Sequence, residues 1–337
     1  EKIMKKVNLA VVGATGMVGR TFLKVLEERN LPIENFYVMA SSRSAGSTLT
    51  FMGKEYVVEE LNEHSFDKPI DIALFSAGGS TSAKFAPIAA EHGCIVIDNS
   101  SQWRMDPNVP LVVPEVNPED IAWHKNIIAN PNCSTIQAMV ALKPLDDKYK
   151  IKRVVYSTYQ AVSGAGMAGW QDLENGLKGE APKKFPHPIA NNCLPQIDVF
   201  LDNGYTKEEM KMVNETRKIL HNDNMRVTAT TVRVPVFDSH SESINVEFEK
   251  PFEMSELMEV LKKAPGLIVK DNPAKEEYPL AIEAAGHDEV YVGRIRRDES
   301  VESGVNIWVV ADNIRKGAAT NAVQIAQKII ETWNNAQ

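Results

Sequence analysis

A doubly wound α/β domain followed by an α+β domain on a mostly antiparallel sheet is the architecture this sequence predicts. Three observations predict it. A strand-like run, VNLAVVG, passes through a glycine turn into the amphipathic TFLKVLEERN. Further short apolar runs alternate with helical stretches through the first part of the chain. Past Lys150 the texture changes to longer runs of alternating polarity.

The first turn carries Gly13, Gly16 and Gly19, a GxxGxxG pattern between strand and helix. Glycines in that order allow a tight turn, let backbone approach a phosphate, and aim helix-start N–H groups at an anion. The N-terminal part is therefore expected to be a Rossmann-type dinucleotide-binding sheet, with an ordinary tight turn as the plainer alternative. The second strand, NFYVMAS, runs into Ser41-Ser42-Arg43-Ser44, and no carboxylate lies between Tyr37 and Phe51. NAD sites place an acidic residue about 20 positions past the glycines for the ribose hydroxyls. Arg43 flanked by hydroxyls suits a 2′-phosphate instead, so NADP is expected. The runs IDIALFSAG, CIVIDNS, LVVPEV and NIIANP are read as further strands, with SAKFAPIAAEHG as a helix among them.

After NIIANP comes NCSTIQAMVAL, where Pro131 and Asn132 stop the preceding run and apolar residues then recur at near-helical spacing. Cys133 is thus placed at the first turn of a helix, where backbone N–H groups and the dipole favour an anion and lower a thiol's pKa. Taken alone, the position fits either a nucleophile or a small packed residue.

In the second part, VVYSTYQAVSG, MRVTATTVRVPV, SINVEFEK, VYVGRIR and GVNIWVVAD are read as strands. TKEEMKMVNETRKIL and SELMEVLKKA are read as helices, and 176–192 as a surface loop. Arg233 interrupts an apolar strand and His240 follows at a strand junction, each compatible with a merely structural role. Glu208 and Lys211 stand three apart on a helix capped by Thr206, the simplest reading of which is an ion pair. The last helix, NAVQIAQKIIETW, puts Ala322, Ile325, Ala326, Ile329, Ile330 and Trp333 on one face and is expected to pack on the first domain.

Composition limits the partners. The 337 residues are 43% hydrophobic and 24% charged with a formal net charge of −8, which argues against a nucleic-acid or anionic-membrane surface. Three cysteines give no disulfide framework, and the opening residues show neither a secretory h-region nor a spanning segment, so a cytoplasmic setting is expected.

Taken together, GATGMVG, SSRSAG, FSAGGSTS, DNSSQWRM, NPNCSTIQ, STYQAVSGAG, LPQIDVF, EEMKMVNETRKI, RVPVFDSHSES, VGRIRRD and VVADNIRKGAA resemble the aspartate-β-semialdehyde dehydrogenases over essentially the full length. The similarity is to the bacterial branch with short active-site loops. It implies NADPH-dependent reduction of β-aspartyl phosphate to the semialdehyde with release of phosphate, in amino-acid biosynthesis, by a homodimer. It also implies an NADP-binding domain of residues 1–132 and 317–337 and a catalytic and dimerisation domain of residues 133–316. By motif, Cys133 would be the nucleophile and His240 the acid/base. Gln160 would orient the acyl group, Arg233 would hold the substrate carboxylate, and Glu208 its ammonium. Arg104 and Lys211 would bind phosphate. Gly13, Thr15, Gly16, Met17, Val18, Arg43, Ser44, Ser163, Gly164 and Asn313 would contact the cofactor, and no metal is expected. The rivals are an N-acetylglutamyl-phosphate type of acyl-phosphate reductase, for which a carboxylate at 208 has no ammonium to meet, and an NADP-binding redox sensor without turnover.

Overall fold

The computed structural model describes residues 4–336; residues 1–3 and 337, at the outer limits of the expected NADP-binding domain, lie outside the described residues. The chain begins with β1 (Val7–Val12), α1 (Met17–Arg29) and β2 (Ile33–Ala40). A hairpin of β3 (Thr48–Phe51) and β4 (Lys54–Val57) follows, then β5 (Glu59–Glu60), β6 (Ile72–Phe75), α2 (Gly79–Glu91), β7 (Ile95–Asp98) and β8 (Ile127–Ala129). Next come α3 (Cys133–Tyr149), β9 (Ile151–Gln160), α4 (Gly166–Gly176), α5 (Lys207–Ile219), β10 (Arg226–Arg233) and β11 (His240–Phe248). The remainder is α6 (Met254–Lys263), β12 (Leu267–Val269), α7 (Ala281–Ala284), β13 (Val290–Arg297), β14 (Gly304–Ala311) and α8 (Thr320–Asn335). These elements form two compact units, one running to Pro131 and resuming at Ala318, the other Asn132–Gly317. Among the described residues no helix is long and apolar enough to cross a membrane.

In the first unit a six-stranded sheet has the order β5-β2-β1-β6-β7-β8, with every pairing parallel. Its central strands are apolar on both faces, as a doubly covered parallel sheet requires: Leu9, Val11, Ile72 and Leu74 on one face and Val12, Phe75 and Val96 on the other are wholly buried. Helix α1 contributes Phe22, Val25 and Leu26, and α8 contributes Ala322, Ile325, Ala326, Ile329 and Ile330 to the same core. The run LVVPEV, read above as a strand, is not one. Only Leu111 bridges to Ala129, because Pro110 and Pro114 bring no N–H and Val113 N–H turns to Asn117 Oδ1 at 2.9 Å.

The β1–α1 turn depends on two close approaches. Gly13 has φ +83° and its N–H donates to Met39 O at 2.9 Å; a Cβ there would fall 2.1 Å from Ser76 O. A Cβ on Gly19 would fall 2.0 Å from Gly13 O, so α1 sits against the turn only because position 19 has no side chain.

The second unit has a six-stranded mixed sheet ordered β10-β9-β11-β14-β13-β12. The inner ladders, β9/β11, β11/β14 and β13/β14, are antiparallel, as expected from the alternating runs. Both outer pairs, β9/β10 and β12/β13, are parallel. The return from β9 to β10 passes through α4 and α5, the length of connection a parallel neighbour requires. Helices α3, α5 and α6 cover one face of this unit. On the other, Tyr159 and Trp308 lie with ring centroids 5.4 Å apart, beside a cavity of about 470 Å³ lined by Tyr278, Leu280, Arg294 and Ile307.

The Gly13 geometry has a measurable consequence. Gly13→Ala and Gly46→Ala both force a side chain into the left-handed region, a cost of ~1–3 kcal/mol. Gly46, at φ +87°, has nothing within 4 Å of its added Cβ. Urea unfolding is expected to show Gly13→Ala clearly the less stable of the two; equal losses would mean the Ser76 contact is relieved without cost.

Candidate active site

The second unit begins with a helix cap. Asn132 Oδ1 accepts from Ser134 N–H at 3.0 Å and Thr135 N–H at 3.4 Å, which makes Cys133 the first residue of α3. Two carboxylates of α5 hold the cap: Asn132 Nδ2 donates to Glu208 Oε1 at 2.7 Å and Asn132 N–H to Glu215 Oε1 at 2.8 Å. The apolar run that predicted α3 is buried around most of its circumference, so the thiol is set on a rigid element.

Cys133 Sγ lies 3.2 Å from His240 Nε2. His240 opens β11 and is wholly buried. Its Nδ1 accepts the Ala161 N–H at 2.9 Å, so the neutral ring carries its proton on Nε2, facing the sulfur. Burial, reinforced by the nearby Arg233 guanidinium, holds the imidazole pKa well below its usual value. The residue before it, Ser239, has φ +80°, and its N–H is fixed by Asn313 Oδ1 at 2.9 Å. Asn313 Nδ2 in turn donates to Ser163 Oγ at 3.0 Å. The structure thus brings Ser163 and Asn313 together behind His240, both buried.

Arg233 closes β10, buried, with Nη1 donating to Ala161 O at 2.7 Å. Burial lowers its pKa and Glu208 opposes that shift. A Cβ on Gly164 would lie 2.9 Å from Arg233 Nη1 and 3.2 Å from the His240 ring, so Gly164 lets the guanidinium and the imidazole share this corner.

Glu208 is no surface residue. It is buried, and its Oε2 accepts from Gln160 Nε2 at 3.1 Å, while Thr158 Oγ1 donates to Gln160 Oε1 at 2.9 Å. Lys211 stands 3.7 Å from Glu208 Oε1 and 3.5 Å from Asp198, at the edge of this group. Cys133, His240, Gln160, Arg233, Glu208 and Lys211 therefore form one linked cluster. The sequence alone did not assign to it Asn132, Ala161, Glu215 or Gln137, whose Nε2 on α3 donates to His240 O at 3.0 Å. Only Asn132 carried a readable signal, as an N-cap residue just before the helical run.

The expected sites in the first unit stand by themselves. Gly16 caps α1 without any side-chain bond, and Met17 and Val18 begin the helix. Thr15 Oγ1 and Ser44 Oγ are 3.1 Å apart, and Arg43 is exposed. The glycine turn, backed by Ser76 O behind Gly13 and opening on the uncapped start of α1, fits a pyrophosphate. Arg104 is buried, with Nε donating to Asn130 O at 2.9 Å. Cys94, in β-strand surroundings of the same unit, has its thiol pushed up to about 12 by burial and Asp71, which leaves it unsuited to nucleophilic work.

Comparison with known proteins finds two matching domain families. Residues 8–124 match the semialdehyde dehydrogenase NAD binding domain, and residues 142–316 the semialdehyde dehydrogenase dimerisation domain. An aspartate-semialdehyde dehydrogenase of Aquifex aeolicus is 63% identical, over 96% of this chain and 98% of that protein. The crystal structure of aspartate semialdehyde dehydrogenase II of Vibrio cholerae complexed with ASA superposes with a TM-score of 0.93 at 50% identity, covering 97% of this chain and 99% of that one. The Candida albicans enzyme with NADP gives a TM-score of 0.78 at 26% identity, covering 98% and 99%.

The His240 environment sets a pH dependence. Its folded pKa is depressed, so the stability it contributes is present above the unfolded value of about 6.5 and is lost as pH falls below it, by up to ~1.4 kcal/mol per pH unit. His240→Asn is expected to flatten the fall in urea-unfolding stability between about pH 6.5 and 5. An unchanged slope in that window would show that other groups govern it.

Proposed function

Because the chain belongs to the aspartate-semialdehyde dehydrogenase family, we propose that it converts β-aspartyl phosphate to aspartate β-semialdehyde and phosphate through a thioester on Cys133, with NADPH as reductant. The observation that carries this reading is Cys133 at the start of α3, with Sγ 3.2 Å from Nε2 of a buried His240.

The residues divide the labour by charge. Sγ of Cys133 attacks the acyl carbon; the S–C bond forms, the C–O bond to phosphate breaks, and the electron pair leaves with phosphate. His240 holds its proton at Nε2, where a neutral N–H donor stabilises sulfur anion and then the oxygen of the tetrahedral carbon. This is the donor half of the acid/base role. Backbone N–H at the helix start adds a second donor to that oxygen. Gln160 orients the acyl group, and the planar fork of Arg233 takes the substrate carboxylate in two-point contact.

Glu208 accepts one hydrogen bond on each oxygen, from Asn132 and Gln160, with Lys211 3.7 Å from Oε1, which leaves lone pairs for the substrate ammonium. An N-acetylated substrate would bring no cation there. Lys211 and Arg104 receive the phosphate. When bound, the nicotinamide nucleotide supplies the two electrons that reduce the acyl group. Gly13, Thr15, Gly16, Met17, Val18, Ser44, Ser163, Gly164 and Asn313 hold it, with Arg43 on the 2′-phosphate. Two copies pair through the dimerisation domain, for which the face bearing Tyr159 and Trp308 is suited, and the cytoplasm is the compartment that keeps such thiols reduced.

The test is reduction of NADP+ by aspartate semialdehyde that depends on added phosphate. Cys133→Ser is expected to abolish nearly all of this while NADPH still binds, since a hydroxyl there is not ionised. Mass spectrometry after exposure to the acyl phosphate without NADPH should place the adduct on Cys133. A fully active serine variant would refute the thioester.

Cofactor choice is tested separately. Arg43→Ala should raise the KM for NADPH by about 10- to 100-fold, the loss of roughly 1.5–3 kcal/mol from a charge-assisted contact, and change NADH kinetics little. Equal weakening with both would mean that Arg43 supports its loop instead.

A further inference from the structure

Along β11 the side chains alternate, so that His240, Glu242 and Ile244 share one face and all three are wholly buried. The mechanism uses His240 and leaves Glu242 unexplained. Neither carboxyl oxygen of Glu242 accepts a hydrogen bond with sound geometry. An ionised carboxylate in that condition is among the costliest arrangements a protein interior can hold. Its cross-strand partners are Thr158 on β9, whose hydroxyl already donates to Gln160, and Val309 on β14.

The neighbour that matters is Gln137 on α3. Both N–H bonds of its amide are engaged, to His240 O at 3.0 Å and Val309 O at 3.2 Å. Its Oε1 is buried and has no donor. The Gln137 and Glu242 side chains lie within hydrogen-bonding reach of one another. With the amide hydrogens committed, the pair is satisfied if the carboxyl supplies the proton.

We propose that Glu242 is a neutral carboxylic acid that donates its O–H to Gln137 Oε1 and thereby holds the amide that fixes the His240 backbone carbonyl. Glu242 is then a positioning residue for the Cys133–His240 pair, an inference that rests on the function proposed above. The carbonyl it secures lies at the start of β11, opposite Ala311 of β14 and one residue before the β9/β11 ladder begins. Burial pushes the Glu242 carboxyl well above the usual range; the adjacent Gln137 side chain opposes that rise without cancelling it, and the Glu208 carboxylate on α5 adds to it. Tyr156 on β9 also faces it, its hydroxyl raised mainly by burial and further by Glu242.

The experiment has two independent arms. Infrared difference spectra of the full protein at pH 8 are expected to show the carbonyl stretch of a protonated carboxylic acid that is missing from E242Q. This arm needs no turnover, so it decides the protonation even if the proposed activity is absent, and phosphate-dependent NADP+ reduction by the unaltered protein is measured first to settle that activity. In the kinetic arm, E242L, which has no donor, is expected to lower kcat by about tenfold or more with both KM values within about twofold. E242Q keeps a donor and is expected to restore kcat to within about twofold and leave the pH–rate profile in place. Absence of the infrared band, a shifted profile in E242Q, or an undiminished E242L would each overturn the proposal. Should E242L fail to fold, the band and E242Q still decide it.

Discussion

The main chain of one residue orients two of the side chains on which the site depends. Ala161 gives its N–H to His240 Nδ1 at 2.9 Å and takes Arg233 Nη1 on its carbonyl at 2.7 Å. The first bond decides which imidazole nitrogen carries the proton; the second aims a buried guanidinium whose charge reinforces burial in keeping that imidazole neutral. Cation and neutral ring are therefore adjacent without competing for a proton. Both bonds come from backbone, so among substitutions at Ala161 only proline removes one directly, and then only the N–H bond to His240. The side chains gain their orientation from the end of β9, where the ladder to β11 has stopped and its peptide groups are available for other work.

A second layer of constraint lies beneath the helix start. Glu208, Glu209 and Glu215 are all buried in the second unit, and each has a distinct solution. Glu209 completes the Thr206 capping box and accepts the Thr231 N–H. Glu215 accepts the Asn132 N–H, and Glu208 joins Asn132 to Gln160 and Lys211. Burying acids is expensive unless each finds donors, and here the donors are the elements that have to be held in register. The cap of α3 and the acid face of α5 thus specify one another.

How far this was legible in the sequence depends on the range over which each residue acts. The Gly13 turn and the placement of Cys133 are local, written in strand, glycine, cap and helical period, and they could be read directly. Arg233 and His240 were ambiguous from their own surroundings, since a lone arginine in a strand has many uses; motif similarity, not periodicity, singled them out. The pairing of Asn132 with Glu208, and of Gln137 with His240, spans sequence separations of 76 and 103 residues and leaves no local trace. LVVPEV misled because valine-rich composition reports burial, while its prolines decide hydrogen bonding. The parallel outer pairs of the second sheet were hidden for a related reason: strand direction is set by the connections, and alternation within a strand is blind to it.

Segment order along the chain has a consequence for biosynthesis. The first unit's core is completed by Ala322, Val323, Ile325, Ala326, Ile329 and Ile330 of α8, which leave the ribosome only after the whole of Asn132–Gly317. During translation the nascent parallel sheet must therefore wait with part of its apolar surface uncovered while some 186 intervening residues are made, a continuous stretch that forms the other compact unit. At typical elongation rates of about 5–20 residues per second that interval is on the order of ten to forty seconds. Chaperone demand should accordingly fall on the amino-terminal half of the chain, though it is synthesised first.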